Sequence, residues 1–185
     1  FHVEGPKTYE ILGHTRDDAA GEAYDKVAKM LDLGYPGGPE IERIAAEGSP
    51  ETCEFPRPTL QGSTRWSWNI EDFDFSFSGV KTAVYYYLDD NPASDPADVA
   101  AGFQRAVNDV LVYKAMTAAE QLGVPRIAVG GGVAANTNLR KSFKTRASKR
   151  DFDVFFPEKK NCTDNAAMIG LRSLNVDETA DLTLN

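Results

Sequence analysis

The sequence predicts an α/β fold, and three observations carry that prediction. Apolar runs of strand length recur, at residues 73–77 with strict alternation, at 127–129 and at 152–156. Segments with apolar residues every three or four positions lie among them, the longest running from Asp95-Pro96 to Leu122. The two kinds of segment alternate, which is the pattern of a sheet packed by helices. Composition agrees: 42% of the 185 residues are hydrophobic and 26% charged, enough to build one domain, or one and a half, around a proper core.

Taken in order, residues 1–4 and 8–12 flank Gly5-Pro6-Lys7 and read as a hairpin. Asp17 or Asp18 is placed to cap a helix reaching Leu33, with Ala20, Ala23, Tyr24, Val27, Met30 and Leu31 on its apolar face. Asp18, Glu22 and Asp25 fall on the opposite side. Gly21 costs such a helix up to about 1 kcal/mol against alanine, so close packing is expected there. Tyr35-Pro-Gly-Gly-Pro39 breaks the chain and opens a short helix over 40–47, closed by Gly48. Its two glycines suit either a helix start or a place where backbone meets a ligand. Residues 49–71 are rich in turn formers, and Trp66 and Trp68 alternate with polar residues as in an inserted arm or lid over 59–72. After the strand at 73–77, Ser78-Gly79 starts a helix that ends near Asp89. The long helix that follows reads as the main packing helix of the sheet, without chemistry of its own.

The most informative stretch comes next. Strand 127–129 runs into Gly130, Gly131 and Gly132, and a helix follows from Ala134 with Asn136 and Asn138 as candidate caps. Strand, glycine turn and helix place backbone N–H groups and a positive dipole end against an anion. The same glycines also suit a tight turn and nothing more. The helix carries Arg140, Lys141, Lys144, Arg146, Lys149 and Arg150 with no acid between them, and Lys159-Lys160 lie one strand further on. A solvated helix face and a phosphate-binding face both fit this run. Asn161-Cys-Thr-Asp164 caps a last helix, and the tail from Val176 is acidic and expected to fray.

Several classes are disfavoured. A net charge of −8 argues against a generic nucleic-acid coat but not against a local basic patch. No apolar run approaches the roughly 20 residues of a membrane span. No signal peptide is visible and the chain does not open on Met, so a segment cut at its front end is expected. Cys53 and Cys162 lie far apart and form no pair motif, which points to a reduced, cytoplasmic setting.

Six blocks then occur in a telling order: Thr15-Arg-Asp-Asp-Ala-Ala-Gly-Glu-Ala-Tyr-Asp-Lys26, Tyr35-Pro-Gly-Gly-Pro39, Phe55-Pro-Arg-Pro58, Phe75-Ser-Phe-Ser-Gly-Val-Lys-Thr82, Gly131-Gly-Val-Ala-Ala-Asn136 and Cys162-Thr-Asp-Asn-Ala-Ala-Met168. Together they resemble the signatures of the tRNA threonylcarbamoyladenosine transferases, the TsaD or Gcp family once called glycoproteases. The resemblance implies that residues 1–185 form the second, C-terminal lobe of a two-lobed actin and sugar-kinase (ASKHA) fold, a mixed sheet flanked by helices. It implies an acyltransferase, as the full-length protein, that moves a threonylcarbamoyl group from threonylcarbamoyl-AMP to N6 of the adenosine next to the anticodon of tRNA. ATP or ADP is an alternative ligand, and protein partners of the same machinery are implied.

By the same resemblance Asp25, Gly38, Gly131, Gly132 and Asn136 contact the nucleotide or donor, and Asp164 ligates Fe2+, or Zn2+ or Mg2+. The chemistry is compatible with each. A carboxylate accepts ribose hydroxyls, glycine lets a ligand lie on backbone, and a carboxylate oxygen is a hard metal ligand. From the residues alone, Asp164 reads as a helix N-cap. Arg140, Lys144 and Lys149 are expected to contact the tRNA backbone.

Two family features have no match in the sequence: the paired metal histidines and a Ser-Gly-Gly-His-Thr-type phosphate loop. His2 and His14 are 12 apart, with no carboxylate beside them at ligand spacing, and read as surface residues. The chain alone is therefore expected to be inactive. Two other classes stand beside this reading. One is a non-catalytic nucleotide-binding or scaffold module that keeps Asp25, Gly38 and Asn136. The other is a metalloprotease, against which count the missing His-Glu-x-x-His and the lack of a second carboxylate at Asp164.

Overall fold

Gly5-Pro6-Lys7 turns the chain as the flanking alternation requires. β1 (His2–Gly5) pairs antiparallel with β2 (Thr8–Glu10), His2 opposite Glu10. The computed structural model describes residues 1–57 and 73–174. The arm expected at 59–72, with Trp66 and Trp68, and the tail from Val176 lie outside the described residues.

α1 (Ala20–Met30) buries Ala23, Tyr24, Val27 and Ala28, the stripe that the periodicity marked. It starts later than expected, and neither Asp17 nor Asp18 caps it; Ala19 stands at its N-cap with no side-chain bond. Asp17 is used at longer range. Its carboxylate accepts the N–H groups of Phe77 and Ser78 at 2.8 and 3.1 Å and the hydroxyls of Ser76 and Ser78 at 2.5 and 2.6 Å. These are the orphan donors at the start of α3 (Ser78–Asp90), so Asp17 caps a helix sixty residues away. The same contacts correct the expected strand at 73–77. Only Phe75 pairs, in a parallel bridge to Thr15 flanked by bonds from Phe75 N–H to His14 and from Arg16 N–H to Phe75. From Phe77 onward the backbone is captured by Asp17 and turns into α3. Asp18 accepts the ammonium groups of Lys26 and Lys81 at 2.6 and 2.7 Å, which joins α1 to α3.

α2 (Gly37–Ala45) begins three residues earlier than expected, inside the Pro-Gly-Gly-Pro run. α4 (Pro96–Leu122) is capped by the Asp95 carboxylate on Ala97 N–H and stopped by Gly123 at φ +64°. Its buried residues lie on every side. Its first half joins α1, α2 and α3 in one core, with Phe103 edge-on to Tyr24 at 5.1 Å. Its second half joins Ile127, Leu139 and Phe143 in another. α4 is thus the spine between two cores and not a helix laid on one sheet.

β3 (Arg126–Ala128) and β4 (Asp153–Phe155) pair in parallel, Ile127 opposite Val154, with α5 (Thr137–Ala147) as their crossover. The expected mixed sheet flanked by helices therefore takes the form, among the described residues, of two two-stranded sheets within a larger helical frame. α6 (Ala166–Ser173) is capped by Asn165, whose side chain accepts Met168 N–H at 3.0 Å; Asp164 is not its cap. α6 touches the hairpin turn through Arg172, which donates to the Pro6 carbonyl. No helix among the described residues is long and apolar enough to cross a membrane.

Candidate functional site

The glycine run after β3 forms a short 3-10 turn (Gly132–Ala135) entered through Gly131 at φ +86°, a conformation that favours glycine. The N–H groups of Gly131, Gly132 and Val133 have no acceptor among the described residues. Ala134 and Asn136 close the turn by donating to the Gly131 and Val133 carbonyls. Three open N–H groups at the start of a turn are an anion-binding arrangement. The turn rests on α1: Val133 lies 3.7 Å from where a Cβ on Gly21 would stand. The packing expected at Gly21 is thus present, but at ordinary contact distance. On its other side, Thr163 lies 4.0 Å from a Cβ built on Gly132.

The second part of the site is the α1–α2 corner. Asp25 Oδ1 accepts the Gly37 N–H at 2.7 Å, and so fixes the start of α2. Gly37 has to be glycine, because a Cβ would stand 2.6 Å from Asp25 Cα and 2.7 Å from Ala28 Cβ. Gly38 differs: nothing lies within 4 Å of its Cβ position, so its backbone is open. Asp25 is half-buried, and its Oδ2 has no protein donor among the described residues.

Glu42, one helical turn after Gly38, binds the two parts together. It accepts the Thr137 N–H at 2.9 Å, at the first residue of α5. Lys159 approaches the same Oε1 at 4.0 Å and donates to the Thr137 hydroxyl at 2.7 Å. Asp25 and Gly38 on one side and Gly131 and Gly132 on the other are thus carried by elements that meet at one corner, through Gly21 on Val133 and Glu42 on Thr137. Glu42 was missed from sequence, although its place four residues after Gly38 on the same helix face was a usable signal.

Asn136 stands at this corner but faces inward. It is 6% exposed. Its Oδ1 caps α5 through Leu139 N–H at 2.8 Å, and its Nδ2 donates to Gln104 at 2.7 Å. One turn further along α4, Asn108 donates to Asn138 at 3.0 Å and accepts the Tyr24 hydroxyl at 3.5 Å. Burial, with a smaller effect from the Glu42 charge, pushes the Tyr24 phenol up and keeps it neutral. α4 thus carries a polar ladder that holds the glycine turn, a correction to its expected role as packing alone. Gln104 and Asn108 at i, i+4 in an apolar helix were the sign of it.

Asp164 lies two residues beyond Cys162, in the segment whose Thr163 packs near Gly132. Its carboxylate is exposed and without a partner among the described residues. His14 is a surface group near Asp74, at 4.0 Å. No group of three or more His, Cys, Asp or Glu side chains that could hold a metal occurs among the described residues. One carboxylate is too few donors for a metal site by itself, so the described residues alone do not fit the implied ion.

The basic run divides in two. Arg140 is spent on the fold, with Nε on the Ala134 carbonyl at 2.7 Å and Nη2 on the Pro157 carbonyl at 2.6 Å and Cys162 Sγ at 3.3 Å. That corrects its expected place on a phosphate-facing surface. Arg146 pairs with Asp109 at 2.9 Å and Arg150 with Glu120 at 3.5 Å, acids that the long helix supplies. Lys141, Lys144 and Lys149 are exposed and have no ion-pair partner among the described residues.

Comparison with known proteins gives the chain a family. The family profile described as TsaD, tRNA N6-adenosine threonylcarbamoyltransferase, matches residues 1–171. A tRNA N6-adenosine threonylcarbamoyltransferase of Syntrophotalea carbinolica is 48% identical over 192 residues, covering 100% of this chain and 54% of its own length. The protein of the same name from Clostridium beijerinckii is 46% identical over 191 residues, with the same two coverages. That of Clostridium kluyveri is 50% identical over 166 residues, covering 88% of this chain and 47% of its own length. The chain thus spans about half the length of the curated relatives it matches. Among solved structures, HypF of T. kodakarensis superposes with a TM-score of 0.62 at 19% identity, over 85% of this chain and 19% of that one, a likeness of fold alone.

Proposed function

The chain belongs to the tRNA N6-adenosine threonylcarbamoyltransferase family, and from that premise we propose that the full-length protein transfers a threonylcarbamoyl group from threonylcarbamoyl-AMP to N6 of the adenosine next to the anticodon. In this reading residues 1–185 are the second lobe of the protein, which works in the cytoplasm with protein partners of the same modification pathway. The observation that supports it best is the convergence of three open N–H groups, the half-free Asp25 carboxylate and the open Gly38 backbone at one corner.

Each part has a chemical task there. The N–H groups of Gly131, Gly132 and Val133 donate to the phosphate oxygens of the adenylate and stabilise it as a leaving group. Asp25 Oδ2 accepts a ribose hydroxyl, while Oδ1 stays on Gly37. Gly38 lets the nucleoside lie on backbone. Asn136 acts behind them by holding the start of α5. The adenosine N6 attacks the carbamoyl carbon, the bond from that carbon to the phosphate oxygen breaks, AMP leaves and one amine proton passes to water. Asp164 would supply one donor to a divalent ion, Fe2+ or else Zn2+ or Mg2+, completed by donors outside the described residues.

Calorimetry and a transfer assay on the full-length protein test the reading together. Asp25→Ala should weaken adenylate binding roughly tenfold, the size expected for a charge-assisted hydrogen bond, and transfer to unmodified tRNA should fall with it. Unchanged affinity would remove Asp25 from the site. Binding of the adenylate without any transfer by the wild type would favour the alternative, a nucleotide-binding module without catalysis.

A further inference from the structure

Arg140 lies at the junction of three chain segments. Its Nε holds the Ala134 carbonyl, at the far end of the 3-10 turn that Gly131 and Gly132 open. Its Nη2 holds the Pro157 carbonyl, after β4, and the Cys162 sulfur, two residues before Asp164. Its guanidinium lies 4.9 Å over the Phe156 ring, and Cys162 is itself tied back to the Glu158 carbonyl at 3.6 Å. The other anchors of the segment that carries Asp164 are at exposed positions: Lys159 on the Thr137 hydroxyl, Thr163 beside Gly132 and Arg172 on the Pro6 carbonyl, while α6 buries no residue and Thr163 and Asp164 are exposed.

We propose that Arg140 is a positioning residue that sets the spacing between the open N–H groups of the glycine turn and the Asp164 carboxylate. It touches neither directly. A guanidinium is suited to this task because it presents several donors in one rigid plane and stacks on an aromatic ring at the same time. Lysine offers a single point charge on a flexible stem and cannot hold three acceptors on separate segments in fixed register. The consequence for catalysis rests on the reading of the site given above. The consequence for the fold does not.

The test uses the full-length protein with Arg140→Lys, which keeps the charge and removes the planar fork. Hydrogen exchange read by mass spectrometry should quicken in both 130–136 and 158–165, while 20–30 and 96–122 stay as in the wild type. With threonylcarbamoyl-AMP and unmodified tRNA, well below the melting temperature, kcat should fall about tenfold or more, a larger change than the accompanying rise in KM for the donor. A merely structural role would leave kcat per folded molecule intact. Should Arg140→Lys fail to fold, Phe156→Leu removes the stack, keeps the hydrogen-bond donors, and is read the same way. Exchange that quickens in only one of the two segments, or in both with kcat unaltered, overturns the proposal. If the wild type transfers nothing, the functional reading fails and the exchange measurement alone decides the coupling.

Discussion

At the scale of single residues, Asp17 shows how one carboxylate can organise a distant element. Burial works to raise its pKa, but hydrogen bonds from Ser76, Ser78 and the Phe77 and Ser78 N–H groups outweigh that and hold it well below the usual carboxylate range. A value depressed in the folded state adds stability at pH above the unfolded value, about 3.9, and the stability is lost as pH falls toward the folded value. Asp17→Asn keeps one acceptor oxygen and removes the charge. Near neutral pH it should cost about 1 kcal/mol, the usual size of a lost helix cap. The gap to the wild type should narrow as pH drops below about 4. Urea melts of both proteins across this range check it, and a gap that stays constant would mean that the charge is not what anchors α3. From sequence Asp17 read as a cap for the nearest helix. Local spacing could show that a cap was present but not which helix it served, because its partners lie sixty residues on.

At the scale of elements, the periodic segments were legible and the pairings were not. α1, α3, α4 and α5 stand close to where apolar spacing put them, because each buries the apolar residues that the sequence displays at that spacing, and the hairpin stands where its Gly-Pro-Lys turn put it. The strand at 73–77 failed because alternation fixes which side chains face inward and cannot say whether a partner strand is there; Phe77 is buried without a ladder. The basic helix α5 was legible as charge but not as exposure. Three of the six cations from Arg140 to Arg150, on α5 and just after it, are neutralised or bound within the fold by groups from other elements, and Lys141, Lys144 and Lys149 remain. In the proposed function these three are the cations left to meet nucleic-acid phosphates. Changing all three to Glu in the full-length protein should weaken tRNA binding at least tenfold or so at low salt and flatten the salt dependence by about two to three in the log–log slope, at somewhat under one per lost phosphate contact. Adenylate binding should not change, because none of these side chains is bonded to the glycine turn or to Asp25 among the described residues. Filter binding across a salt series decides it: equal slopes for mutant and wild type would make this a solvated face and nothing more.

At the scale of the whole molecule, the site is, in the second-lobe reading, one wall of a cleft. Six signature blocks made the family legible from end to end, and the fold explains their spacing. Asp25 needs Gly37 so that α2 can start on its carboxylate, and the glycine turn needs Gln104 and Asn108 beneath it. What no motif displays is how much of a complete site this wall provides. Three N–H groups and one carboxylate oxygen are open on it, and Asp164 belongs to no cluster of three or more possible metal ligands among the described residues. A ligand held on one side keeps much of its surface in water, and affinity falls with the lost contacts. The 185-residue chain by itself should therefore bind ATP or AMP only weakly, on the order of 0.1–1 mM. It should transfer no threonylcarbamoyl group to tRNA even with threonylcarbamoyl-AMP and Fe2+ supplied, because one carboxylate retains a divalent ion poorly. Two measurements on the purified chain check this: calorimetry with ATP, and a transfer assay beside an Asp164→Ala control. Micromolar affinity would mean that the corner described here is already a closed site. Turnover above the control would mean that Asp164 and its neighbours assemble a working centre without donors from elsewhere, and the one-wall account would have to be given up.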